Sequence, residues 1–148
     1  MLKSQLNEIS GISFVNSDVL ACVNDEKGVI YLFDIKKGSV VNSFNFHDDA
    51  DFEDIQVVGD KIYVLESDGD IFCIENFDNS ISIDVKKEKT PLGKDNNCEG
   101  LTYSPSWNSL LIACKGEASI RKKNDFDKYK AVYRYIIDSD KLLESPVM

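Results

Sequence analysis

Three glutamates stand at the head of apolar runs: Glu8 in NEISGISFV, Glu53 in DFEDIQVV and Glu99 in NCEGLTYS. A carboxylate at the mouth of a buried strand costs desolvation unless something pairs with it. Three that converge repel one another and gain from a shared cation. Their chemistry suits a hard ion, since calcium takes roughly six to eight oxygen ligands from carboxylates, carbonyls and water. Histidine and thiolate, the usual zinc and copper ligands, are missing from these three positions. A second expectation is structural: a glutamate at a strand opening accepts hydrogen bonds from backbone amides of a neighbouring element.

The elements that would position these groups repeat. Glu8 and Glu53 are 45 positions apart, and Glu53 and Glu99 are 46 apart. A second apolar run follows each glutamate: DVLACVNDE, KIYVLESDG and SLLIACKGE. A third follows that: GVIYLFDI, GDIFCIEN and AVYRYIID. A fourth is visible as SVVNSFNF and more weakly as SISIDV. The runs are short, rich in Val, Ile, Tyr and Phe, and divided by Gly, Asn, Asp and Ser, the pattern of strands joined by tight turns. The polar, basic stretch 115–130 reads as a loop inserted between the second and third strands of the last unit, with a short helix as the alternative.

Four strands per unit, at a period of about 40 to 45 residues, is the signature of a β-propeller blade. The expected fold is all-β, with three four-stranded blades over residues 6–47, 51–86 and 97–148 of a single partial propeller domain. A closed propeller takes roughly four to eight blades. Three blades therefore imply a segment of a longer ring, or two chains sharing one ring, with self-association through the open blade edges.

The quoted segments, in this order and spacing, resemble the SdiA-regulated family of bacterial propellers, related in shape to calcium-dependent lactonases and phosphotriesterases. The resemblance implies a six-bladed ring, a periplasmic or envelope setting, and frequently a bound calcium. It also implies an N-terminal signal or lipoprotein anchor and further blades, which this sequence does not show. The start MLKSQLNEIS has no apolar signal core, and no run approaches the roughly 20 apolar residues of a membrane span.

In such a fold the first strand of each blade lines the central channel, so Glu8, Glu53 and Glu99 are expected at one channel mouth as ligand and metal candidates. The ends of the second strands add Asn24, Asp25, Glu66 and Lys115 to the same face. The loop FHDDADFED carries the only histidine, His47, among five acidic groups. It has neither the glycine nor the terminal glutamate of an EF-hand, and reads as a solvated acidic loop at the edge of that face. The four cysteines, Cys22, Cys73, Cys98 and Cys114, have no C-x-x-C spacing; Cys22, Cys73 and Cys114 fall in apolar runs and read as small buried hydrophobes, with a disulfide or a thiol nucleophile as the alternative.

A net charge of −9, from 26 acidic against 17 basic side chains, argues against a nucleic-acid partner and for a surface that attracts cations. Two functions follow as expectations. The first is a non-catalytic propeller that binds a small ligand or protein at the channel mouth, with calcium as a cofactor. The alternative is a calcium-dependent lactonase or phosphoesterase, in which the ion polarises the substrate and a carboxylate or His47 activates water.

Overall fold

The computed structural model describes residues 6–77, 82–120 and 129–148. Among them lie three antiparallel sheets, each built from four consecutive strands. Blade 1 comprises β1 (Ile9–Phe14), β2 (Val19–Asn24), β3 (Val29–Asp34) and β4 (Ser39–Asn45). Blade 2 comprises β5 (Phe52–Val58), β6 (Lys61–Glu66), β7 (Ile71–Glu75) and β8 (Asp84–Glu88). Blade 3 comprises β9 (Cys98–Ser104), β10 (Ser109–Cys114), β11 (Ala131–Ile136) and the two-residue β12 (Lys141–Leu142), with a 3-10 turn at Ile137–Ser139.

Short polar side chains end the strands. Asn16 Oδ1 accepts from the backbone N–H groups of Asp18 and Val19, and Asp34 Oδ1 accepts from those of Lys36 and Lys37. Each bond closes a local turn that competes with further strand. The fourth strand of blade 2 lies later than SISIDV suggests. Ile71–Glu75 pairs with Glu88–Asp84, so the outer strand is DVKKE. It is an exposed edge studded with lysines, a common protection of open edges, and it has no apolar alternation for a sequence reading to find. The inserted loop expected at 115–130 falls partly on residues 121–128, which lie outside the described residues.

The core is two apolar layers, one between each pair of blades. Ala21, Val23 and Ile30 of blade 1 meet Ile55, Ile62, Val64, Phe72 and Ile74 of blade 2. Tyr63, Leu65 and Ile71 on the opposite side of blade 2 meet Leu101, Leu110, Ile112, Tyr133 and Tyr135 of blade 3. Side chains alternate across a strand, so IYVL in β6 is apolar throughout because both of its faces are covered. Each fully buried Ile or Phe in these layers contributes about 1.5–3 kcal/mol of transfer free energy.

The inner strands β1, β5 and β9 stand side by side and are joined by side chains. Ser13 Oγ accepts the Val57 N–H at 2.9 Å across the first seam. Across the second, Asp54 Oδ2 accepts the Leu101 N–H at 2.7 Å and Gln56 Oε1 accepts the Tyr103 N–H at 3.3 Å. Gly11 permits the first seam to close, since a Cβ there would lie 2.6 Å from Asp54 Oδ1 and 2.8 Å from the Ile55 nitrogen.

Candidate functional site

Each inner strand opens with a bulge at its junction with the second strand. In blade 2, Phe52 faces Glu66 and Asp54 faces Leu65, leaving Glu53 without a cross-strand partner. In blade 3, Cys98 faces Cys114 and Gly100 faces Ala113, leaving Glu99. In blade 1, Ile9 faces Asn24 and Gly11 faces Val23, leaving Ser10. A bulge re-aims the extra residue and bends the strand, and such devices gather beside functional sites.

This register separates Glu8 from the other two glutamates. The backbone N–H groups of Asp25, Ser67 and Lys115 donate to the carbonyls of Glu8, Asp51 and Asn97, each at 2.9 Å. Glu8 is thus the counterpart of Asp51 and Asn97, two residues ahead of the bulge, and its side chain is exposed. The repeat in space runs 43 residues from Glu8 to Asp51 and 46 from there to Asn97. The spacing of 45 between glutamates is a coincidence of residue type.

The remaining candidates divide in the same way. Asn24 is buried, and its Oδ1 accepts the N–H groups of Glu26 and Lys27 at 3.1 and 2.7 Å, so it caps a turn. Glu66 Oε2 lies 2.5 Å from Lys87 Nζ, which is also 3.2 Å from Asp70 Oδ2. Lys115 Nζ is 2.7 Å from Glu99 Oε1, to which the Asn97 side-chain amide also donates at 3.0 Å. Burial first, then the charges of Asp51 and Glu99, hold the Glu53 carboxyl above its ordinary value; Lys115 opposes them and Asp25 adds to them. Asp25, Asp51, Glu53, Glu99 and Lys115 therefore share one field. Beside Glu53, Asp25 Oδ1 is buried with no hydrogen-bond donor.

A cleft of about 350 Å³ opens next to this group, lined by Ala50, Asp51, Glu66, Ser67, Asp68, Lys94 and Asn97. Its size is at the small end for ligand sites. One wall contains Glu66 and Asp68, which together with Asp70 bring carboxylate oxygens within 4.8 Å of one another. The Lys87 ammonium already serves two of those three carboxylates. Sequence spacing missed Asp51, Asp68, Asp70 and Lys87. The signal for Asp51 was its place in the acidic loop before β5, whereas Lys87 sits in a strand that has no pattern. His47 packs its ring 4.8 Å from that of Phe72, and its Nδ1 is 3.1 Å from the Asp48 carbonyl.

Four-stranded blades side by side, with their first strands innermost and a bulge at the head of each, define a β-propeller segment. Solved structures agree. The β-propeller domain of Cps50 (Swd1) from Myceliophteria thermophila is 13% identical, with a TM-score of 0.56, over 93% of this chain and 43% of that one. Hsv2 of Kluyveromyces lactis is 14% identical with a TM-score of 0.54, over 97% of this chain and 52% of that one. The computationally designed Ika4 protein is 13% identical with a TM-score of 0.61, over 99% of this chain and 77% of that one. The chain thus spans about half or less of those two natural proteins. The family model named SdiA-regulated matches residues 2–123, and the chain belongs to that family. No curated protein matches the sequence significantly. Among the described residues no helix is long and apolar enough to cross a membrane.

Proposed function

We propose that this propeller segment is a non-catalytic binding module whose upper face takes a cationic ligand or partner group, with calcium the first candidate, through Asp25, Asp51, Glu53 and Glu99. The observation that carries this reading is a surplus of acceptors. Glu53 is held toward its protonated form by burial and by three carboxylates, while Asp25 Oδ1 beside it is buried without a donor. The donor set is all oxygen, which fits a hard cation in kind. Lys115 is engaged by Glu99, so the uncompensated charge is on the Asp25, Asp51 and Glu53 side. The Glu66, Asp68 and Asp70 group is the weaker candidate because Lys87 neutralises it from within.

Thermal unfolding with calcium chloride or with a chelator tests the reading, because a ligand that binds only the folded state raises the midpoint by mass action. The parent should melt higher with calcium, and Glu53→Gln should lose most of that rise. An unchanged midpoint in the parent counts against the cation. Hydrolysis of a lactone or phosphoester that requires calcium and disappears in Glu53→Gln would replace binding with catalysis. No feature of His47, packed on Phe72, favours that alternative.

The reading extends to a partner surface. Ile12 and Phe14 of β1 are 58% and 63% exposed. Their counterparts by register are Ile55 and Leu101 for Ile12, and Val57 and Tyr103 for Phe14. Ile55 and Leu101 are buried against the preceding blade. The β1 face is thus shaped to receive another blade, from the same polypeptide or from a second copy. An envelope setting would suit a calcium-binding surface, and cell fractionation tests it.

A further inference from the structure

We propose that Cys98 and Cys114 are a redox-active pair, converted to a cross-strand disulfide by a low-molecular-weight disulfide such as oxidised glutathione. The two residues face each other across β9 and β10, and their sulfurs are 3.5 Å apart. The Cys98 N–H points away from β10 and donates to the Ser67 carbonyl of blade 2 at 2.8 Å, so it is not spent on Cys114. Cys98 and Cys114 are therefore an antiparallel pair of the narrow, non-hydrogen-bonded kind, in which Cα atoms approach to about 4.5 Å. That separation lies within the range of roughly 4.4–6.8 Å that a disulfide bridges. A small rotation of the side chains closes the remaining gap.

The fold does not call for sulfur here. The same paired position holds Ile9 and Asn24 in blade 1 and Phe52 and Glu66 in blade 2. The other cysteines lie elsewhere, Cys22 in β2 and Cys73 in β7. Donation from Cys98 holds the Cys114 thiol below its ordinary value, whereas that same bond and burial hold Cys98 up. Either thiol can ionise first, and in the order that this shared hydrogen bond favours Cys114 is the attacking thiolate. It attacks one sulfur of the oxidant, forming a mixed disulfide and expelling one glutathione thiolate. Cys98 then gives up its proton and attacks the Cys114 sulfur, expelling the second. Two protein thiols and one glutathione disulfide thus become one protein disulfide and two glutathiones, the two protons passing to the leaving thiolates.

Both cysteines are buried, and the turn at Gly69 roofs Cys98: a Cβ on Gly69 would come within 3.3 Å of its sulfur. Reaction therefore waits on local opening of that turn and is slow. Once formed, the bond would span the base of the bulge, directly before Glu99 and Lys115. It would fix the spacing of the ion pair at the upper face.

The test uses the full chain, folded and without denaturant, incubated for hours with oxidised glutathione or with dithiothreitol. The sample is then alkylated in acid-quenched, unfolded form and cut after glutamate, which divides the chain at Glu99 and places the two cysteines in different peptides. The expected result is that those peptides stay joined until reduced, while the intact mass falls by about 2 Da. The oxidised chain should also melt at a higher temperature than the reduced one, and Cys98→Ser or Cys114→Ser should remove both effects. Complete alkylation of both thiols, a glutathione left on a single cysteine, or a link to Cys22 or Cys73 would overturn the proposal. The wild-type peptide map decides even if neither variant folds.

Discussion

Glu53 is raised by burial, Asp51 and Glu99, so the folded chain binds its proton more tightly than the unfolded chain does. For a carboxyl displaced in that direction, the stabilising contribution is present below the unfolded value and is lost as pH climbs through the folded one. In chelator, the parent should therefore lose stability relative to Glu53→Gln as pH rises from about 4 to 7. Denaturant titrations at the two ends of that window measure it, and parallel curves would show that Glu53 is not strained. Asp54, one residue on, differs in kind. Burial raises its carboxyl also, but Leu101 and Ile55 donate their backbone N–H groups to it. Asp54→Ala strands the Leu101 amide at the second seam and should cost about 1–3 kcal/mol of folding free energy. Sequence reading expected a structural carboxylate that accepts amides from the next blade and assigned the role to a glutamate. The residue that fills it is Asp54, because the bulge turns Glu53 out of the row and leaves the next side chain pointing at the seam.

At the scale of elements, the strands themselves were legible wherever both faces are covered or alternate. Runs such as VLACVN, KIYVLE and SLLIAC are dictated by burial, and the structure places β2, β6 and β10 on them. Bulges leave no comparable trace, since an extra residue alters spacing by one and is masked by loop-length variation between units. The outer strand DVKKE was misplaced because its stability comes from pairing and from charge, not from burial. Lys87 of that strand illustrates the point. Its burial works against the charge, yet Glu66 and Asp70 outweigh that and hold its pKa up, and the ammonium also lies 5.0 Å from the Phe72 ring centroid. Lys87→Met should destabilise the chain by about 1 kcal/mol near neutral pH, more than removal of a surface lysine such as Lys36. It should also let calcium raise the melting midpoint by more than in the parent, because Glu66 and Asp70 are left without their cation beside Asp68. The connection from β4 to β5 is clamped where the Phe46 N–H donates to the Gly28 carbonyl at 2.8 Å. A Cβ at Gly28 would overlap the His47 carbonyl, so Gly28→Ala should push the acidic loop away and cost more than 2 kcal/mol or so. A neutral outcome in equilibrium unfolding would mean that this loop is free to move.

For the molecule as a whole, three blades bury two apolar layers and leave the β1 side of blade 1 open. Light scattering should show association that grows with concentration, and Phe14→Asp should reduce it without lowering the melting temperature, since the Phe14 side chain is largely exposed. A parent that stays monomeric at high concentration would mean that the open face is tolerated. The seams described above also have a direction. At each one the earlier blade provides a side-chain acceptor, Ser13 or Gln56, and the later blade provides a backbone N–H, that of Val57 or Tyr103. Thr102 is the third residue of that acceptor series, and the Phe14 amide is the first of the donor series. The chain is thus a one-way link with a hook at its trailing side and an eye at its leading side. Units joined by such links add only head to tail, so a twofold that sets two like edges together cannot use the seam, whereas a pair closed about the channel axis uses it on both sides. The curvature between blades, and not the strength of any one joint, then decides whether successive links meet in a ring or run on as a filament.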